Sequence, residues 1–313
     1  MKKKMIIFSL LILIGVIIGS EKTEIYGKFK TKNKFEISED REVEQVYDNK
    51  FEDIVETLNV MSEEQGRNIG IYYYNFDTDE SYGINEDTEF VSASLKKLAM
   101  VMQILDKVQI GELSLDTEIE YMSKEDYADG TGTLQFEDFI SKRTIKELVD
   151  LSIVESDNIA YNMLNRVCDY TLLDYISNIL EESIAKDEYT KLTAKQTFKL
   201  LNRLYTNPTG NEYYEEVLEL MKITAFNDRL DKNIPTDKVA HKIGSYFRYY
   251  HDAGIIYAKE TYALVILTKD IGELSNDPKY TIDQEERHVI DWGEEANSLI
   301  ASISEKIYNI INR

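Results

Sequence analysis

The 313-residue chain sets 58 acidic against 36 basic residues, a net charge of −22. That balance excludes a nucleic-acid partner, because phosphate binding needs clustered Lys and Arg. One cysteine, Cys168, and three scattered histidines, His241, His251 and His288, give neither an internal disulfide nor the Cys/His spacing of a zinc site, so neither metal nor cofactor is expected.

Lys2, Lys3 and Lys4 precede an uncharged, apolar run from Met5 to Gly19. A basic segment ahead of such a run predicts a secretory signal over residues 1–20 and an extracytoplasmic protein. The poor cleavage context at Ile17 and Ile18 keeps an uncleaved N-terminal membrane anchor as the alternative. Residues 21–42 are charged and aperiodic and read as a tether. The folded domain is expected over 43–313.

Within it, Val46, Phe51, Ile54, Val55, Leu58 and Met61 fall at helical spacing. A β-branched and aromatic run follows from Ile69 to Phe76, and Ser81 to Ile84 returns as its partner strand across an acidic turn. Residues 95 to about 205 are mostly helical, with segments expected at 95–108, 144–154, 158–167, 171–180 and 193–205. Strands resume at Lys238–Ser245, Ala253–Ala258 and Thr261–Thr268, and a last helix runs from about Glu294 to Ile311. That order implies an α/β chain of the α+β type, with one sheet interrupted by a helical block. A crevice between the two would hold polar chemistry.

Three constellations carry that chemistry. In Ser94-Leu95-Lys96-Lys97, a helix would bring Lys97 beside Ser94. The rest of that helix is apolar nearly all round, which would desolvate Lys97 and lower its pKa until it could take a proton from a hydroxyl. The Ser-x-x-Lys pattern is cheap and recurs at Ser183-Ile184-Ala185-Lys186. Ser156-Asp157-Asn158 lies between two helical segments, where such residues ordinarily cap helices. Alternatively, Ser156 relays a proton while Asn158 offers its amide to a substrate carbonyl. On the first late strand, Lys242-Ile243-Gly244-Ser245 would supply a positive charge, a close backbone approach at Gly244, and an N–H at Ser245 that could join that of Ser94 in an oxyanion hole.

Ser-x-x-Lys, Ser-Asp-Asn and Lys-x-Gly, in that order, resemble the signature of class A β-lactamases and penicillin-binding peptidases. The likeness extends over residues 43–313, including Gly132-Thr133-Leu134-Gln135 and Asn227-Asp228-Arg229-Leu230. It selects Ser94 over Ser183, which follows Ser-Asp-Asn. It implies an antiparallel sheet flanked by helices, with an inserted all-helical subdomain. It also implies Ser94 as nucleophile, Lys97 as base and Ser156 as proton relay, with Asn158, Lys242, Gly244 and Ser245 binding substrate. A monomer acting on a small-molecule β-lactam or on cell-wall peptide is expected.

Two departures stand out. Ile243 replaces a hydroxyl residue that helps the family bind the substrate carboxylate. No Glu-x-x-Leu-Asn follows Ser-Asp-Asn, although its glutamate activates the water that frees the acyl-enzyme. The loop from Glu181 to Lys191 is short and offers Glu181, Glu182 and Glu188 outside any motif. β-Lactam hydrolysis with slow deacylation is therefore expected. A D-alanyl-D-alanine peptidase is the enzymatic alternative, and a non-turnover β-lactam sensor or an interaction module the non-enzymatic one.

Overall fold

The computed structural model describes residues 49–138, 140–272 and 282–313. Expectations for the signal, the tether and residues 43–48 lie outside the described residues. Asn49 to Arg313 make one compact unit. Among the described residues, no helix is long and apolar enough to cross a membrane.

In chain order, helix α1 (Lys50–Ser62) is followed by β1 (Ile69–Asn75), β2 (Ser81–Ile84), the short β3 (Phe90–Val91) and α2 (Lys96–Gln109). Then come β4 (Glu118–Ile119), the one-turn α3 (Ser123–Asp126), β5 (Arg143–Thr144), α4 (Ile145–Val154), α5 (Asn158–Val167) and α6 (Leu172–Leu180). The chain continues through β6 (Lys191–Leu192), α7 (Ala194–Thr206), α8 (Tyr214–Lys222), β7 (Val239–Tyr246), β8 (Tyr249–Tyr257), β9 (Thr261–Lys269) and α9 (Ile282–Ile311).

The main sheet has the order β2-β1-β9-β8-β7, antiparallel throughout, with Ile71 opposite Ile266 where the first strand meets the last. Everything between β2 and β7 is thus an insertion into one sheet, as the sequence order implies. β9 explains how the sheet holds both layers. Tyr262, Leu264 and Ile266 pack with Ile54 and Leu58 of α1 and with Ile300, Ile303 and Ile307 of α9. Ala263, Val265 and Leu267 face the helical block. A strand buried on both faces reads as a continuous apolar run rather than an alternating one.

On the block side, α2 is buried from Lys97 to Leu105, with α4, α5, α6 and α7 around it. Its one acid near the far end, Asp106, accepts hydrogen bonds from Tyr175 (2.6 Å), Tyr214 (2.7 Å), Arg203 (2.9 Å) and Asn211 (2.9 Å), tying α6, α7 and α8 to the central helix. Helix α8 escapes the sequence reading although Tyr214, Val217, Leu218 and Met221 form its buried stripe. Its other face is rich in acids, so the apolar spacing is diluted.

The two-residue pair β3–β6 sets Phe90 opposite Leu192 and Val91 opposite Lys191. With Ser92 N–H bonded to Thr190 O at 2.9 Å, it pins the segment entering Ser94 to the end of the short 181–191 loop.

Candidate active site

Ser94 lies in a single 3-10 turn, Ala93–Leu95, and α2 begins at Lys96. The serine therefore stands just ahead of the helix rather than within its first turn. Ala93 takes a left-handed φ of +47°, a conformation that costs a residue with a Cβ on the order of 1 kcal/mol. The turn is held from behind by β7. A Cβ on Gly244 would come within 3.0 Å of Ser92 O and 3.1 Å of Leu95 Cγ. The close approach that Gly244 permits is thus to the turn that carries Ser94, and Gly244 is buried beneath it.

Lys97 is 2% exposed. Its Nζ donates to Asn158 Oδ1 at 2.7 Å, lies 3.3 Å from Ser156 Oγ and also contacts Ser156 O. Burial, followed by the positive charge of Lys242, holds its pKa well below the usual amine range. The expectation of a desolvated lysine on an apolar helix is met.

The Ser-Asp-Asn segment joins α4 to α5, and capping and site-building coexist there. Asp157 caps α5, accepting from Ala160 N–H at 2.9 Å, and its other oxygen accepts from Leu134 N–H at 2.9 Å. Gly132 passes so close to Asp157 that any Cβ would collide with the carboxylate at 2.1 Å. Ser156, fully buried, has a φ of +51°. Its strained backbone turns Oγ toward both lysines and its carbonyl toward Thr131 Oγ1, 2.7 Å away. Asn158 Nδ2 donates to Asp129 O at 2.7 Å.

From β7, Lys242 reaches the same hydroxyl: its Nζ donates to Ser156 Oγ at 2.8 Å and to Ile243 O at 3.3 Å. Lys242 is 1% exposed, and burial pushes its pKa down to about 7. It does not reach the open cleft directly. Ser245 is exposed at the strand end. Beneath it lies Arg229, which the sequence offers only as part of Asn227-Asp228-Arg229-Leu230. The buried guanidinium donates to Ser245 Oγ (2.6 Å), Gly244 O (3.1 Å) and Asn297 Oδ1 (2.7 Å). No local signal in Asn-Asp-Arg-Leu foretells that reach across to β7.

Above these groups opens a cleft of about 450 Å³ lined by Ser94, Lys96, Lys97, Asn158, Tyr161 and Ser245, among others. Its rim is aromatic, with the Tyr189 and Tyr246 ring centroids 5.3 Å apart. Ser183 is not part of it. Ser183 sits in an exposed loop, and Lys186 is taken by Asp174 at 3.1 Å. Glu181, Glu182 and Glu188 also lie outside the lining. Glu182 instead pairs with Lys199 at 3.3 Å.

The family model described as the β-lactamase enzyme family matches residues 51–311. β-Lactamase VEB-1 of Pseudomonas aeruginosa is 25% identical over 211 residues, covering 60% of this chain and 69% of that one. Among solved structures, a class A β-lactamase of Bacteroides cellulosilyticus is 21% identical, with a TM-score of 0.69 over 84% of this chain and 98% of the other. PBP-A is 19% identical, with a TM-score of 0.68 over 82% of this chain and 95% of its own. The sheet, the inserted helical block and the cleft between them are the serine β-lactamase and penicillin-binding-protein fold, and the chain belongs to the β-lactamase enzyme family.

Proposed function

We propose that this protein is an extracytoplasmic serine hydrolase that β-lactams acylate at Ser94 and that releases the acyl group slowly. The observation that carries the reading is the buried chain of three groups, Lys97 Nζ, Ser156 Oγ and Lys242 Nζ, with spacings of 3.3 and 2.8 Å. Export rests on the basic segment and apolar run of residues 2–19.

Lys97, its ammonium form disfavoured by burial and by the charge on Lys242, takes the Ser94 hydroxyl proton as Oγ attacks the lactam carbonyl carbon. The Oγ–C bond forms, and the carbonyl oxygen takes the negative charge facing the N–H groups of Ser94 and Ser245. As the C–N bond breaks, Ser156 passes its proton to the leaving nitrogen and is refilled from Lys97. Lys242, donating to Ser156 Oγ, leaves that hydroxyl's own proton free to move. Asn158 binds the acyl amide. Ser245, its hydroxyl held by the Arg229 guanidinium beneath it, takes the substrate carboxylate, which compensates for Ile243.

Deacylation needs an activated water as the second nucleophile. Among the described residues, the one carboxylate lining the cleft belongs to Asp129, and it is exposed. No buried carboxylate stands among the described lining residues to hold and activate that water. The same gap favours cell-wall peptide ending in D-alanyl-D-alanine as a natural substrate, because such chemistry does not depend on that glutamate.

The test is intact-mass spectrometry on protein quenched seconds after mixing with excess benzylpenicillin. A penicilloyl adduct on most molecules, lost in Ser94→Ala, is expected. Rapid drug consumption by unmodified protein would show efficient turnover, and no adduct with no consumption would overturn the reading.

A further inference from the structure

The lysines of this acidic chain are not paired evenly. Of those that are at least partly covered, Lys50, Lys107, Lys146, Lys191, Lys195, Lys222 and Lys269 each have a carboxylate within 4.0 Å. Among the described residues, the unexposed lysines with no carboxylate at that distance are Lys96, Lys97 and Lys242, and all three belong to the candidate active site. In a chain with 58 acids, three neighbouring amines without a carboxylate partner leave the cleft more positive than the surface around it, even with Lys97 acting as a free amine. Such a pocket concentrates anionic ligands.

Two of these amines are accounted for. Lys97 and Lys242 are both bonded to Ser156. Lys96 is different. It lines the open cleft beside Ser94, and its Nζ stands over the Tyr161 ring, 5.1 Å from the centroid. Burial lowers its pKa, with no compensating carboxylate. A cation held on an aromatic face keeps its position at a small cost and still has donors to offer. Tyr161 follows Asn158 by three residues on α5, so the two share a helix face, and Lys96 and the Asn158 amide assigned to the substrate's acyl group line the same cleft.

We propose that Lys96 is a specificity-determining residue that binds a second carboxylate, carried on the acyl side of the substrate, so that the cleft selects dianionic substrates. The inference rests on the acylation reading above. The ring or C-terminal carboxylate goes to Ser245, which Arg229 holds from beneath, and the acyl-side carboxylate goes to Lys96. Two anionic groups flanking the scissile amide fit either a penicillin with a carboxylated side chain or an acidic cell-wall peptide.

A matched pair tests this. Benzylpenicillin and α-carboxybenzylpenicillin differ by one acyl-side carboxylate, and the second-order rate of adduct formation on Ser94 is measured for both. The wild-type protein should favour the dicarboxylate by about tenfold, the worth of one charge-assisted hydrogen bond. Lys96→Met should remove the preference, and Lys96→Arg should retain most of it. Lys96→Gln replaces the methionine variant if that one does not fold. An unchanged ratio in the methionine or glutamine variant overturns the proposal. So does an equal slowing with both penicillins, which would mean that Lys96 acts through Lys97. No adduct with either compound in the wild type overturns the acylation reading itself, and this inference falls with it.

Discussion

Lys242 Nζ donates to Ser156 Oγ across 2.8 Å, and through that contact a strand of the late sheet meets the loop joining two helices of the inserted block. Both side chains are buried, and the hydroxyl also lies 3.3 Å from Lys97 Nζ. A single oxygen therefore serves two amines, one from α2 and one from β7.

The role of Ser156 separates from its backbone strain. Ser156→Ala and Ser156→Gly both remove the hydroxyl, and both should slow acylation by about 10²–10⁴-fold, the usual loss for a proton-transfer group. Their stabilities should differ. At a φ of +51° alanine keeps the steric penalty and glycine does not, so the glycine variant should be the more stable by about 1 kcal/mol. Chemical denaturation and adduct kinetics on the two proteins read both effects. Acylation at the wild-type rate in either would remove Ser156 from the reaction.

The acylation rate should rise with pH, because Lys97 acts as the free amine. Since its pKa is held well below the usual range, the plateau should be reached well short of the ordinary lysine value. Lys242→Met removes the largest neighbouring positive charge acting on Lys97. Loss of a like charge raises a lysine's pKa, so the rising limb should move to higher pH in that variant. A profile that stays in place would show that Lys97 does not feel Lys242.

The carboxylates of the 181–191 loop should be spectators. Glu181 is exposed at a left-handed helix end, Glu182 pairs with Lys199, and Glu188 lies outside the cleft lining. Glu181→Ala, Glu182→Ala and Glu188→Ala should each leave the lifetime of the penicilloyl adduct unchanged. A variant whose adduct lasts much longer would identify that glutamate as the missing base.

Much of the frame was legible because local pattern and tertiary role agree. The 158–167 helix follows its apolar stripe, and the late strands carry runs buried on both faces. The Ser94-to-Lys97 spacing and the apolar helix around it foretold a desolvated amine, which burial then produces. What stayed hidden depends on contacts between residues distant in sequence. Arg229 lies 16 residues from the Ser245 hydroxyl it holds, and Lys96 gains meaning only from Tyr161 and from the missing carboxylate. Gly244 was read as an opening toward ligand, whereas its missing Cβ admits Ser92 and Leu95. Strand chemistry alone does not reveal which neighbour makes the approach.

The last prediction concerns His241, next to Lys242 on β7. Its Nδ1 lies 2.8 Å from Asp252 Oδ2 and its Nε2 3.6 Å from Asp231 Oδ1, with all three side chains at most 1% exposed. Burial alone would depress the imidazole. The two carboxylates outweigh it and raise the pKa to about 9 from 6.5. Arg229 and the Leu230 N–H stabilise the Asp252 carboxylate from the other side. A group whose folded pKa is raised contributes stability that is fully present below its unfolded value and is lost as pH rises through its folded value. The His241 contribution should therefore be complete below pH 6.5 and fade toward pH 9. Lys242, depressed to about 7, works the opposite way over part of that range, because its burial penalty disappears as the unfolded lysine loses its proton. The wild-type curve alone thus mixes the two. The difference in unfolding free energy between wild type and His241→Gln isolates the histidine: the advantage of the wild type should shrink between pH 6.5 and 9 by up to about 1.4 kcal/mol per pH unit, one proton's worth. An advantage constant across that window would mean that the buried imidazole is neutral and that Asp231 and Asp252 carry their charges without it.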